Sequence, residues 1–460
     1  VAAVLIRNAE VWGLGPADLR LADGVIRSVG KLQPLAGEPV LDAAGGALLP
    51  GLHDHHLHLA SAAVRRQSVV CGPPEVTTAE QLAQRILSVP GDGWIRGILY
   101  HDSVMGLPDA QALDRMVRDR PLRIQHRSGR MWLLNSLALQ NLLALSPPPA
   151  GLEREAGHYT GHLFDEDTWL RRTLNASPPP LGDISRELAR FGVTGLTDMS
   201  PSNTPETLDW FSAAQASGQL RQHLLMAGTL ELARGPAKLH LHENALPDFD
   251  EVLAFIRTAH GLGRPLAVHC TTETELVFTL AALEAAGTMP GDRIEHAGIA
   301  TDDHIARIAD MGLAVVSQPH FIAERGDQYR ADVEPAQVPL LYRLASFKRA
   351  GVTLAAGSDA PFGSLDPWAA MRAAVTRRTP SGAVIGPDEA LTPEEALALY
   401  LADPEDLSRL RTISEGTRAD LCLLRTGWAE ARERLDASIV RATFIAGDLV
   451  HQSPFEGGAG

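Results

Sequence analysis

The chain of 460 residues is 45% hydrophobic and 21% charged, enough to bury a large core and to hold more than one domain. Its formal net charge of −15 argues against nucleic acid or an anionic membrane as a partner, since both demand a basic face. Three widely spaced cysteines, Cys71, Cys270 and Cys422, match neither a disulfide framework nor zinc-ribbon spacing and point to a reducing cytoplasm.

The opening residues, 1–7, read as a strand rather than a signal peptide, and no apolar run is long enough to span a bilayer. Short strands follow at 2–8, 19–21 and 25–29, with a turn at 42–46. The same texture returns at 419–424 and 440–448. Neither end could stand alone, so residues 1–46 and 405–455 are expected to pair into a composite β-sandwich domain. Between them, residues 47–404 repeat a strand-then-helix pattern, with apolar runs at 47–58, 193–199, 221–227, 237–242, 265–270, 293–296, 314–319 and 352–357. Eight such strands predict an α/β fold of the (β/α)8 TIM-barrel type. Helix signals separate several of them. Val252, Phe255, Ile256 and Ala259 form an apolar stripe stopped by Gly261, and Thr392-Pro393-Glu394-Glu395 is a capping box. The gap from 227 to 237 is short for a parallel crossover, which questions one of those two strands. Residues 60–190 exceed any connecting helix and carry their own strand-like runs at 94–101 and 122–128. They read as an insertion after the first barrel strand, lying over one end of the barrel and returning through Ser177-Pro178-Pro179-Pro180.

Only Lys31, Lys238 and Lys348 are lysines among 41 basic residues, and Lys238 sits in the strand-like run Ala237-Lys238-Leu239-His240-Leu241-His242. A buried primary amine can lose its proton and react, whereas a guanidinium cannot. Strand alternation aims His56 and His58 at one face, and Lys238, His240 and His242 at another. His269, His296 and Asp359 follow at intervals of one, one and two strand–helix units, which places all these groups at the C-terminal ends of barrel strands, where barrel enzymes do chemistry. Each has a plain alternative: a histidine satisfied in the core, a lysine in an ion pair, an aspartate capping a helix. The order and spacing of the set favour a metal site.

On Pro50-Gly51-Leu52-His53-Asp54-His55-His56-Leu57-His58, Lys238, His269, Ile294-Glu295-His296 and Gly357-Ser358-Asp359, the chain resembles the amidohydrolase superfamily. Arg120-Pro121, Asn135-Ser136-Leu137-Ala138-Leu139, Tyr159-Thr160-Gly161 and Asp359-Ala360-Pro361 are similar to its branch of N-substituted formamide deformylases. The resemblance implies hydrolysis of an amide or cyclic amide C–N bond by metal-activated hydroxide. It further implies two divalent ions, usually zinc, with His56 and His58 on the first and His269 and His296 on the second. Lys238, carboxylated by CO₂, would bridge them, and Asp359 would contact a metal and shuttle the proton. His320, in Ser317-Gln318-Pro319-His320, is a candidate to bind substrate or polarise its carbonyl, or else a hydrogen-bonded loop histidine. His240 and His242 are candidate supports for the lysine. Arg127 and Arg130 could hold a substrate carboxylate, with salt bridges inside the insertion the plainer role; Ser128-Gly129-Arg130 stands where relatives often carry Asp-Gly-His. His53 and His55 fall on the opposite alternation from the ligand pair, and Cys270 is expected to face away from the metals. A mononuclear aminohydrolase is the first rival, but its catalytic glutamate would stand at Thr272, with Glu273 one place off. A barrel scaffold without activity is the second, and it would have lost ligands that are present here. The expected partner is a small-molecule substrate; a homo-oligomer stays open because no interface signature is legible.

Overall fold

The computed structural model describes residues 3–73, 75–175 and 178–454. Ala2 of the first expected strand, Ser177 of the proline run and Phe455 at the end of the expected composite domain lie outside the described residues. The chain forms two compact units, Val1–Leu59 with Leu181–Gly460, and Ala60–Pro180.

The first unit carries eight parallel strands: β1 (Leu52–Leu57), β2 (Val193–Asp198), β3 (His223–Met226), β4 (Ala237–His240), β5 (Leu266–Cys270), β6 (Arg293–His296), β7 (Ala314–Ser317) and β8 (Thr353–Ala356). They hydrogen-bond as two arcs, β3-β2-β1 and β4-β5-β6-β7-β8. A few hydrogen bonds link the arcs. Lys238 N–H donates to the Gly228 carbonyl at 2.9 Å, and Asp359 N–H donates to the His56 carbonyl at 2.6 Å. The architecture is a TIM-barrel-like α/β fold whose ladders do not run continuously around a ring. Every residue of β1, β2, β6 and β7 is buried, as strands covered on both faces must be.

Several helices start at side-chain caps. Thr272 accepts from Glu275 N–H ahead of helix Glu273–Ala286, while Glu275 reaches back to the Thr272 N–H at 3.1 Å; Thr392 and Glu395 repeat this at helix Pro393–Leu401. Val252, Ile256 and Ala259 of the expected stripe are buried in helix Phe249–Gly261, and Phe255 is half-buried.

Several expectations need correction. Residues 47–58 are two strands: Ala47–Pro50 pairs antiparallel with Leu421–Leu424, and only Leu52–Leu57 joins the barrel. Gly51 permits the switch, because a Cβ there would lie 2.2 Å from the Thr194 side chain. The terminal strands form one eight-stranded sheet rather than two sandwiched layers, closed over Ile6, Leu19, Ile26, Leu421 and Phe444. Residues 405–410 belong to a separate hairpin of Ala402–Asp403 with Asp406–Leu410. Both doubted strands, β3 and β4, exist; the chain between them has no helix, and Gly228 bridges directly to Ala237. Helix Gly182–Arg190, assigned above to the insertion, belongs to the first unit, where it packs on β2 with Ile184, Leu188 and Ala189 buried.

The second unit is a six-stranded sheet in the order Leu152–Glu155, His158–Phe164, Met131–Leu134, Leu122–His126, Ile95–Tyr100, Val69–Val70. Among the described residues, no helix is long and apolar enough to cross a membrane.

Candidate metal centre

His56 ends the inward run of β1 through a bulge. The β1–β2 ladder pairs Asp54 with Leu196 and Leu57 with Asp198, so His55 and His56 together oppose Thr197. The strict alternation assumed from the sequence therefore breaks between the two. His56 enters the centre, whereas His55 stays buried with neither ring nitrogen partnered among the described residues. His53 instead meets the Thr197 hydroxyl at 2.9 Å. Asp54 fixes the loop ends by accepting from His56 N–H at 3.1 Å and Ser358 N–H at 3.0 Å. Burial lifts its pKa to about 6 against those two bonds.

Around this point the side chains converge. His58 Nε2 lies 3.1 Å and His56 Nε2 3.4 Å from the same oxygen of Asp359. One ligand atom each from His56, His296 and Asp359 fall within 4.8 Å of one another. The His269 and His296 rings are 4.6 Å apart, as the Cys270–His296 register of β5 and β6 dictates. Lys238 is 6% exposed, and its Nζ has no hydrogen-bond partner among the described residues. Burial lowers its pKa, with Arg293 acting in the same direction and Glu295 and Asp359 opposing. Burial would raise the Asp359 carboxyl, but the bonds from His56 and His58 hold it well below the ordinary carboxylate range.

The residues behind these ligands, Glu295, Arg293 and Gln318, were given no role from sequence. His56 Nδ1 meets Glu295 Oε2 at 2.5 Å, and Arg293 Nε donates to the other Glu295 oxygen at 2.6 Å. All three side chains are buried. His296 Nδ1 donates to Gln318 Oε1 at 2.7 Å, leaving Nε2 buried and unpartnered among the described residues, and burial pushes this imidazole down to about 3. The Gln318 bond fixes the tautomer of His296 and leaves its Nε2 as a lone pair aimed at the centre. A signal did exist: Arg293 and Glu295 share one face of an entirely buried strand, where two charges need a partner.

Other candidates sit differently. His320 opens helix His320–Asp332 and donates through Nε2 to the Ser358 carbonyl at 2.9 Å; its Nδ1 has no partner among the described residues. His240 ends β4, and His242 lies beyond it, their rings 4.4 Å apart, with His240 4.3 Å from His269. Glu273 stands in the first turn of its helix and accepts from Gln337, away from the centre. Cys270 packs its thiol against Thr279, and burial raises it to about 12.

The donor set fits a divalent metal on its own chemistry. Imidazole nitrogens and a carboxylate suit zinc, and two buried nitrogens of the cluster, His296 Nε2 and Lys238 Nζ, have no hydrogen-bond partner among the described residues.

A model of the amidohydrolase family matches residues 39–451. The chain is 27% identical to the N-substituted formamide deformylase of Arthrobacter pascens, over 84% of each chain. It is 25% identical to the putative amidohydrolase YtcJ of Bacillus subtilis, over 94% of this chain and 95% of that one. Among solved structures it resembles a metal-dependent hydrolase from Pyrococcus furiosus at a TM-score of 0.71 and 22% identity, covering 91% of this chain and 98% of that one.

Proposed function

From the premise that the chain belongs to the amidohydrolase family and is a hydrolase acting on carbon–nitrogen bonds, we propose that it cleaves an amide or cyclic amide of a small molecule at this centre. The observation that carries the reading is the convergence of His56, His296 and Asp359 within 4.8 Å beside a buried, unpartnered Lys238.

His56, His58, His269 and His296 would hold two divalent ions, with Lys238 between them as a carbamate and Asp359 at their edge. Bound ions would lower the pKa of water towards neutrality and polarise the substrate carbonyl. Burial favours the neutral Lys238 amine, which can form an N–C bond to CO₂ and release one proton. With a cation bound, Glu295 and Gln318 would hold the Nδ1 protons of His56 and His296, so both Nε2 atoms would donate to it. Asp359 is held as a carboxylate, ready to take the proton of the attacking water and return it to the leaving amine. His320 would position the loop carrying Asp359 through the Ser358 carbonyl.

Metal analysis of protein purified without chelator tests the reading. Two equivalents of transition metal per chain are expected, and none after reconstitution with zinc and bicarbonate would overturn it. Lys238→Arg should lose metal and turnover together with the fold intact; full metal and activity would remove the bridge. Asp359→Asn should keep metal better than turnover, and wild-type turnover would remove the shuttle.

A further inference from the structure

The sheet of the second unit presents two arginines with no acceptor. Arg96 and Arg123 are direct cross-strand neighbours in a parallel ladder, and Trp132 lies on the same face of the adjoining strand, two residues before Leu134, the partner of Arg123. Both guanidinium carbons stand over the indole of Trp132, at 5.2 and 5.4 Å from its centroid, and Arg123 is also 5.8 Å from that of Trp94. The indole N–H is spent on Asp167 Oδ1 at 3.1 Å.

Neither guanidinium has a hydrogen-bonded or ion-paired partner among the described residues. Each Nε is buried and unsatisfied, while the terminal nitrogens reach solvent. Like charges directly opposed across a ladder are destabilising, and buried donors without acceptors are costly. Asp167 is the one carboxylate acting on both groups, so two cations face a single counter-charge. Burial, with the charge of Arg96 next, pushes Arg123 down to about 10. Cation–π contact steadies the two groups without supplying acceptors, leaving two planar forks side by side with free N–H edges.

We propose that Arg96 and Arg123 form an oxyanion site on the inserted unit, stacked on Trp132 and built for a small ligand bearing a phosphate or carboxylates. An oxyanion supplies what the pair lacks: negative charge and several in-plane acceptors for two forks at once. The site stands apart from the hydrolytic reading, and its failure would leave that reading untouched.

The test titrates the metal-loaded, full-length protein with inorganic phosphate and, separately, malonate, at constant ionic strength, by calorimetry and tryptophan fluorescence. Saturable binding of at least one probe is expected. Arg96→Gln and Arg123→Gln should each weaken it roughly tenfold or more, the loss of a charge-assisted bond, with metal content and turnover unchanged. Tighter phosphate identifies a phosphoryl ligand, and tighter malonate a dicarboxylate. Trp132→Phe keeps both charges and loosens the platform, so it should weaken the same binding even where an arginine variant fails to fold. No saturation with either probe into the tens of millimolar overturns the site. So does wild-type affinity in the arginine variants, which would place the anion elsewhere, or in Trp132→Phe.

Discussion

The metal centre and the sheet of the inserted unit both bury polar side chains, and they satisfy them by different means. At the centre, His56 and His296 each have one ring nitrogen bonded to a buried protein acceptor, Glu295 and Gln318, while the other faces the cluster. In the inserted sheet, Arg96 and Arg123 are steadied by an aromatic face and given no acceptor. An atom left open beside well-bonded neighbours marks a place for a ligand, because its surroundings could have supplied a partner and did not. The same logic calls for a cation at the centre and an anion on the sheet.

That contrast requires the inserted unit to be well bonded elsewhere, and Asn135 is the sharpest check. It is fully buried. Its Oδ1 accepts from Leu122 N–H and Ala138 N–H, both at 2.9 Å, and its Nδ2 donates to the Val117 and Arg120 carbonyls at 3.0 and 2.9 Å. Asn135→Ala removes a helix cap and strands three further backbone groups, so urea unfolding should show a loss of about 3 kcal/mol or more. A loss under ~1 kcal/mol would mean that this unit tolerates unsatisfied groups generally, and the open arginines would then signify little.

At the centre the corresponding change is Glu295→Gln. The amide still accepts from His56 Nδ1, but the charge that Arg293 and His56 share is gone. Competition with a chelator should show metal affinity falling roughly ten- to a hundredfold, as for other outer-layer partners of ligating histidines. Unchanged affinity would reduce Glu295 to a packing role and dissolve the parallel between the two regions.

The sequence made much of the centre legible because its donors are rare residue types at strand ends. Lys238 is one of three lysines, and the pairing of His56 with His58 expected from alternation is met at Asp359, although His58 lies just past the strand. What it hid depends on local irregularity and on contacts distant in the chain. The bulge that sets His55 and His56 side by side leaves no mark in an apolar-polar pattern, since residues 52–57 are all buried. Glu295 reaches His56 across 239 positions, a pairing that no spacing rule supplies. The break at Gly51 was invisible because both flanking strands are extended and buried throughout. The Asn135 segment was read only as a family likeness, while its four bonds explain it as the anchor of the inserted sheet.

The smallest effect should come from Arg130, an arginine of the inserted unit that does have a carboxylate. It grips Asp165 through two bonds of 2.8 and 2.6 Å, but the two side chains are 76% and 55% exposed. Water competes for both groups and salt screens them, so pairing in this position adds little. Arg130→Ala should leave the unfolding midpoint within ~1 °C of wild type. Its kcat/KM and its phosphate titration should also match wild type. A fall in kcat/KM confined to carboxylate-bearing substrates would instead make Arg130 a substrate anchor. A fall in phosphate affinity as large as that of Arg96→Gln would show that any arginine of this unit draws the anion, and the distinction between a partnered guanidinium and an open one would carry no meaning.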